Sequence, residues 1–183
     1  TASTTYNDPF NLARRLASLD HMSNGRIGWD GVTGYNIEEA QNYGFDKVPD
    51  SETRYGRVYE TLELTKKLWD SWDDDAFIGD KREGRFVKPG SLHIPDFRGK
   101  YFTVEGALNV PRSPQGHPVL IQAGQSGRGQ AFAAKWAELV FVIHHNLEAG
   151  KKHYANFKAM VAAEGRDPDH VKVAPACYVI VGE

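Results

Sequence analysis

Cysteine is almost absent. Cys177 is the single one in 183 residues, so no internal disulfide and no cysteine metal cluster can form, which suits a reducing, cytoplasmic setting. Long hydrophobic runs are missing too: no apolar stretch approaches the roughly 20 residues that a membrane-spanning helix requires, and no membrane partner is expected. Charge of one sign is not in excess. The formal net charge of −2 lacks the clustered basic surplus that nucleic acid or an anionic membrane surface demands. Metal spacing is also lacking, because His144-His145 with His153 matches no known ligand pattern and Asp73-Asp74-Asp75 misses the D-x-[DN]-x-[DN]-G calcium loop. The opening Thr1-Ala2-Ser3-Thr4-Thr5 is neither a methionine start nor a signal peptide, and reads as a chain that begins in mid-domain.

The most informative stretch present runs from Pro118 to Gly129. An apolar run, Val119-Leu120-Ile121, reads as a buried parallel strand, and the turn Gly124-Gln125-Ser126-Gly127 feeds an Ala-rich helical pattern over 130–136. At such a junction the open N–H groups and the positive dipole end of the helix suit an anion, most often a phosphate. Gly124 permits close backbone approach, Ser126 offers a hydroxyl, and Arg128 adds charge if it turns inward. The stretch approximates G-x-G-x-x-G but has Ser126 at the middle glycine, and it fails G-x-S-x-G because Arg128 holds the last position. By itself it fits a phosphate cradle and a purely geometric turn equally well.

Around it, strands alternate with helices. Ala2 to Thr5 reads as a strand end. Asp8 stands as an N-cap before Pro9, and Phe10, Leu12, Ala13, Leu16, Ala17 and Leu19 give a buried helix face that Ser23-Asn24-Gly25 ends. His21 falls at that helix end, where a cation is favoured. A strand over 26–33 carries Trp29 and Asp30 and breaks into Gly34-Tyr35-Asn36; Asp30 is costly to bury alone, so a partner or a place near the strand's open end is expected. Residues 39–46 form a loop or short helix. From Asp50 a long amphipathic helix carries Val58, Leu62, Leu64, Leu68 and Trp69, closed by Asp73-Asp74-Asp75 as a solvated end. Residues 76–116 switch to short Gly- and Pro-punctuated segments, with small strands over 100–104 and 108–110, a length that suits a lid or binding element. Then come a strand over 139–143, a helix capped by Asn146 with Tyr154, Phe157, Met160 and Val161, and a last strand over 171–181 in which Pro175 marks a bulge or end and Cys177 packs inertly.

This α/β alternation, about five strands with long crossovers, permits a doubly wound sheet or a (β/α)8 barrel. A dinucleotide-binding dehydrogenase is disfavoured by Ser126 and by the want of an acidic ribose ligand after 139–143. Three stretches decide the rest: residues 13–26 (ARRLASLDHMSNGR), residues 28–34 (GWDGVTG), and residues 109–116 (NVPRSPQG) leading into Gln122-Ala123-Gly124, with Tyr43-Gly44 and residues 67–72 alongside. In order and spacing the chain resembles the bacterial luciferase-like flavin-dependent monooxygenases, in the branch of nitrilotriacetate monooxygenase component A, dibenzothiophene-sulfone monooxygenase and the pristinamycin synthase subunit.

That resemblance implies a TIM barrel with insertions. A complete barrel takes roughly 250 residues, so 1–183 would be an incomplete barrel domain of about five of the eight strands, with 76–116 inserted after the fourth helix. It implies reduced FMN as cofactor with O2 as co-substrate, a separate NAD(P)H:FMN reductase as partner, and homo-oligomers at full length. The phosphate would be held by Thr33 and Gly34, by Tyr55, and by Gly124 and Ser126 with Ala123 beside them; Ser3 and Asp30 would lie near the flavin. Two departures stand out, Asp30 where relatives carry asparagine and Gly34 where they carry serine. No catalytic base and no metal are assigned. The aromatic residues of the insertion, Phe86, Phe97, Tyr101 and Phe102, suit a sulfone or another apolar substrate as well as they suit a small core of their own. A second reading stays open: a truncated, non-catalytic member that binds a phosphate ligand or a partner.

Overall fold

The computed structural model describes residues 1–182, which form two compact units that divide between Pro118 and Val119. In the first unit β1 (Ala2–Ser3) pairs in parallel with β2 (Gly28–Val32), Ala2 opposite Gly31 and Ser3 opposite Val32. The crossover is α1 (Pro9–Ser23). Asp8 caps it as its composition predicts, accepting from the N–H groups of Phe10 and Asn11 at 3.0 and 3.2 Å, and Asn24 ends it in the left-handed region. Its buried stripe is Pro9, Leu12, Ala13, Leu16, Ala17 and Asp20, a 3.6-residue period that leaves Leu19 half exposed instead of buried.

A short helix, α2 (Ile37–Asn42), leads to the 19-residue α3 (Ser51–Trp69), capped by Asp50. Val58, Leu62, Leu64, Leu68 and Trp69 are all buried, as their spacing requires, and the Trp69 indole N–H donates to the Ala13 carbonyl of α1 at 3.1 Å. The helix closes at Trp69, before the acidic run. Asp73, Asp74 and Asp75 instead reach His93, Arg112 and Lys88, so the run fastens the hairpin region after α3 to the helix end.

Residues 76–116 carry two antiparallel hairpins, β3 (Phe77–Asp80) with β4 (Arg85–Val87) and β5 (Phe97–Arg98) with β6 (Thr103–Val104). Residues 108–110 are not a strand; Leu108 is seated by its N–H on the Ser71 hydroxyl and its carbonyl on the Trp72 indole. The Glu60 carboxylate of α3 takes the N–H groups of Lys100, Tyr101 and Phe102 at 2.7, 2.9 and 3.2 Å, holding the second hairpin by its tip.

In the second unit β7 (Val119–Gln122), β8 (Leu139–Val142) and β9 (Lys172–Pro175) run parallel, with α4 (Gly127–Trp136) and α5 (Leu147–Ala163) as crossovers. Ala133, Ala134, Ala137, Val140, Val142, Phe157, Val161 and Val171 make its core. Arg166 ties the end of α4, donating to the carbonyls of Ala134 and Ala137 at 2.8 Å each. The last strand stops at Pro175, so Cys177 lies beyond it and is exposed. Among the described residues no helix is long and apolar enough to cross a membrane.

Candidate cofactor site

In parallel α/β folds ligands gather where strands end. In the first unit the ends of β1 and β2 are zipped by threonines: Thr4 donates through N–H and hydroxyl to the Val32 carbonyl at 2.9 and 3.2 Å, and the Thr5 hydroxyl donates to the Thr33 carbonyl at 2.6 Å. Gly34 follows with φ +66°, and its carbonyl accepts from Arg54 of α3. A Cβ here would lie 2.6 Å from Glu39 Oε2 and 3.2 Å from the Tyr6 ring, so the positive φ favours glycine, and a side chain would have to displace the mobile end of Glu39. Tyr55, partly buried, directly follows Arg54 on α3.

Ser3 is buried, its hydroxyl accepting from the Thr5 N–H at 3.3 Å. Asp30 sits three residues short of Thr33, about 10 Å down the strand, with Oδ2 accepting from the Thr1 hydroxyl at 2.9 Å and Oδ1 buried without a partner. The expectation that Asp30 has a partner holds; its carboxylate is directed at Thr1.

The sequence did not single out Tyr6, Glu39 or Arg54. Tyr6 stacks on Tyr43 at 5.0 Å and meets Phe45 edge-on at 5.4 Å, and its hydroxyl is buried without a partner. Burial raises the Tyr6 pKa above its ordinary value, the Glu39 carboxylate adds to the rise, and the Arg54 guanidinium opposes it. The Arg54 and Arg57 Nε atoms are likewise buried without acceptors. Helical periodicity places 54 and 57 on one face of α3, the one sequence signal that pointed here.

In the second unit the strand β7 ends in Gln122, which is buried and turns its amide back on its own chain. Its Oε1 accepts from the N–H groups of Ala123 and Gly124 at 2.6 and 3.1 Å, so these two donors are satisfied internally. Gly124 and Gly129 pack backbone to backbone; a Cβ on either would stand 3.0 to 3.1 Å from the other's main chain. Ser126 is the N-cap of α4, its hydroxyl accepting from the Gly129 N–H at 3.1 Å. What remains for a ligand is the first-turn N–H groups of Gly127 and Arg128, which no carbonyl of the helix can reach, with the positive dipole end behind them and the exposed Arg128 beside them.

At the ends of β8 and β9 lies a largely apolar cavity of about 570 Å³ lined by Val142, His144, Leu147, Tyr154 and Val173 among others. His144 stands 4.9 Å from the His153 ring. Burial, and then His144, lowers the His153 pKa.

Residues 109–116 pack within the first unit. Gln115 donates N–H and side-chain amide to the fully buried Asp20 carboxylate at 2.9 and 2.6 Å, and the same amide reaches the Ile27 carbonyl at 2.9 Å, before β2 begins. Burial alone would raise the Asp20 pKa; the Gln115 hydrogen bonds outweigh it and hold it below the ordinary carboxylate value.

The chain matches the family model described as luciferase-like monooxygenase over residues 1–183. It is 48% identical over its whole length to dibenzothiophene-sulfone monooxygenase of Rhodococcus erythropolis, covering 40% of that protein. It is 45% identical to nitrilotriacetate monooxygenase component A of Aminobacter aminovorans, again covering all of the chain and 40% of the relative. A solved riboflavin lyase, described with modified FMN and its substrate riboflavin, superimposes with a TM-score of 0.89 at 38% identity, over 96% of this chain and 39% of that one. The chain spans about two fifths of the length of the curated relatives it matches.

Proposed function

The chain belongs to the luciferase-like monooxygenase family, and from that premise we propose that it forms part of a two-component, reduced-FMN-dependent monooxygenase acting on a small organic substrate, a sulfone or a comparably apolar compound. Residues 1–183 are then a stretch of barrel carrying the insertion 76–116. The observation that carries the proposal is the β7 turn: Ser126 capping α4 with the Gly127 and Arg128 N–H groups open, a fit for a doubly charged phosphate.

Each unit offers donors of its own. On the β7 side these are main chain, hydroxyl and helix dipole, while Gln122 keeps the preceding turn rigid. Within the first unit, Gly34 offers main chain, its carbonyl held by Arg54, and the Tyr55 phenol follows Arg54 on α3. Thr33 and Ser3 set the strand ends, and the Asp30 carboxylate is turned to Thr1. Reduced FMN, when bound, supplies the electrons that activate O2 for transfer of one oxygen atom. The chain's own residues bind the phosphate, orient the ring system by that anchor, and exclude water. A separate NAD(P)H:FMN reductase delivers the reduced flavin, in keeping with the component naming of a relative.

The test is titration of the natural protein with FMN followed by flavin fluorescence, then oxygen uptake with reduced FMN across a panel of sulfones, thioethers and aminopolycarboxylates. FMN binding with substrate-dependent oxygen transfer supports the proposal. Unchanged flavin fluorescence would overturn it in favour of a non-catalytic family member.

A further inference from the structure

The turn after β2 has no regular hydrogen bonding of its own, yet two successive carbonyls in it are each held by a side chain from another element. Thr5, just past β1, donates its hydroxyl to the Thr33 carbonyl at 2.6 Å, and Arg54 of α3 donates Nη1 to the Gly34 carbonyl. All peptide bonds described are trans, so in each peptide plane the N–H points opposite to the C=O. Fixing the Thr33 carbonyl on Thr5 therefore aims the Gly34 N–H away from β1, and fixing the Gly34 carbonyl on Arg54 aims the Tyr35 N–H away from α3. Neither N–H meets a protein acceptor among the described residues. Two consecutive open N–H groups next to a residue at φ +66° form the kind of concavity that binds an anion.

We propose that Arg54 and Thr5 are positioning residues that aim the Gly34 and Tyr35 N–H groups at the flavin phosphate. The inference rests on the FMN reading given above and adds to it the Tyr35 N–H and the two side chains that set the turn. The Glu39 carboxylate, 2.6 Å from where a Gly34 Cβ would stand, gives Arg54 a second task, since its positive charge offsets that acid beside the turn. Tyr6 and Glu39 also wall the side-chain direction of residue 34, so the turn can offer only main chain from that position.

The experiment compares FMN with riboflavin, which lacks the phosphate, by fluorescence titration of the natural protein and of Arg54→Met, Arg54→Lys and Thr5→Val. The unchanged protein should bind FMN more tightly than riboflavin. Arg54→Met should weaken FMN about tenfold, the loss expected when a hydrogen bond to a charged group is misaimed, and leave riboflavin within about twofold. Arg54→Lys should recover part of that loss, and Thr5→Val should show the same selective pattern at smaller size. Equal weakening of both flavins, or no change in either for both Arg54→Met and Thr5→Val, would overturn the positioning role. Equal affinity of the unchanged protein for the two flavins would overturn the phosphate reading on which it rests.

Discussion

The stretches 109–116 and 122–129 look alike on paper: each mixes glycine, serine, glutamine and arginine, and each carries part of the family resemblance. In space they do opposite work. The first turns its polar groups inward, Gln115 onto buried Asp20 and Arg112 onto Asp70 and Asp74, at the end of the first unit where β2 begins. The second spends Gln122 on its own N–H groups, packs glycine on glycine, and leaves only the α4 first turn facing outward. A dense motif thus marks either a lock or a site, and the difference lies in whether its donors already have acceptors.

Substitutions at the two stretches should separate these roles. The largest effect belongs to the lock: Asp20→Ala strips the buried acceptor from two half-buried Gln115 donors and should cost about 3 kcal/mol in urea unfolding. A loss under about 1 kcal/mol would show the lock to be dispensable. The pH dependence has a definite sign. Because the folded Asp20 pKa lies below its unfolded value, its stabilisation is complete above the ordinary carboxylate range and is lost as pH falls through the folded pKa; Asp20→Asn should flatten acid unfolding there.

Next in size is Gly129→Ala. A helical alanine normally gains up to about 1 kcal/mol over glycine, but this Cβ would meet Gly124 main chain at 3.0 Å, which cannot swing aside, so a net loss of about 1–2 kcal/mol is expected on thermal unfolding. A stabilised variant would mean that the two turns of chain can part. On the site side, Gln122→Glu keeps both N–H bonds but places a negative charge beneath the turn. The buried charge should cost about 1–2 kcal/mol of folding stability and lower FMN affinity about tenfold, and equal affinity would place the phosphate elsewhere. The smallest stability effect is at Ser126, where Ser126→Ala should lose about 1 kcal/mol of capping and Ser126→Asp should not. Both should weaken FMN, and the aspartate more, if the residue is a ligand as well as a cap.

Local chemistry was the readable part. Asp8 with Pro9, Asp50 and Asn146 each name a helix start because a cap needs only its next three residues, and each caps as expected. Pro175 ends the last strand, short of the 181 that its apolar run suggested. Distant pairings were not readable. Leu19 seemed a core residue, yet the stripe through 12, 13, 16 and 17 continues to 20, and a buried aspartate there becomes intelligible only once Gln115, 95 residues later, is seen to bond it. Gln122 gave a partial signal, a polar side chain on the same strand face as buried Leu120. Nothing in the sequence linked Arg54 to Gly34, since a side chain reaching a carbonyl leaves no trace in the identity of the residue that offers it.

The grip of Glu60 on three amides of the second hairpin has a bearing on how such a chain can change. A carboxylate that grasps only main chain is indifferent to what the grasped residues carry, provided none of them is proline. The seat is therefore standardised while the furniture on it is free to vary: one family could refit this hairpin with new side chains for new molecules and never re-engineer the joint that holds it.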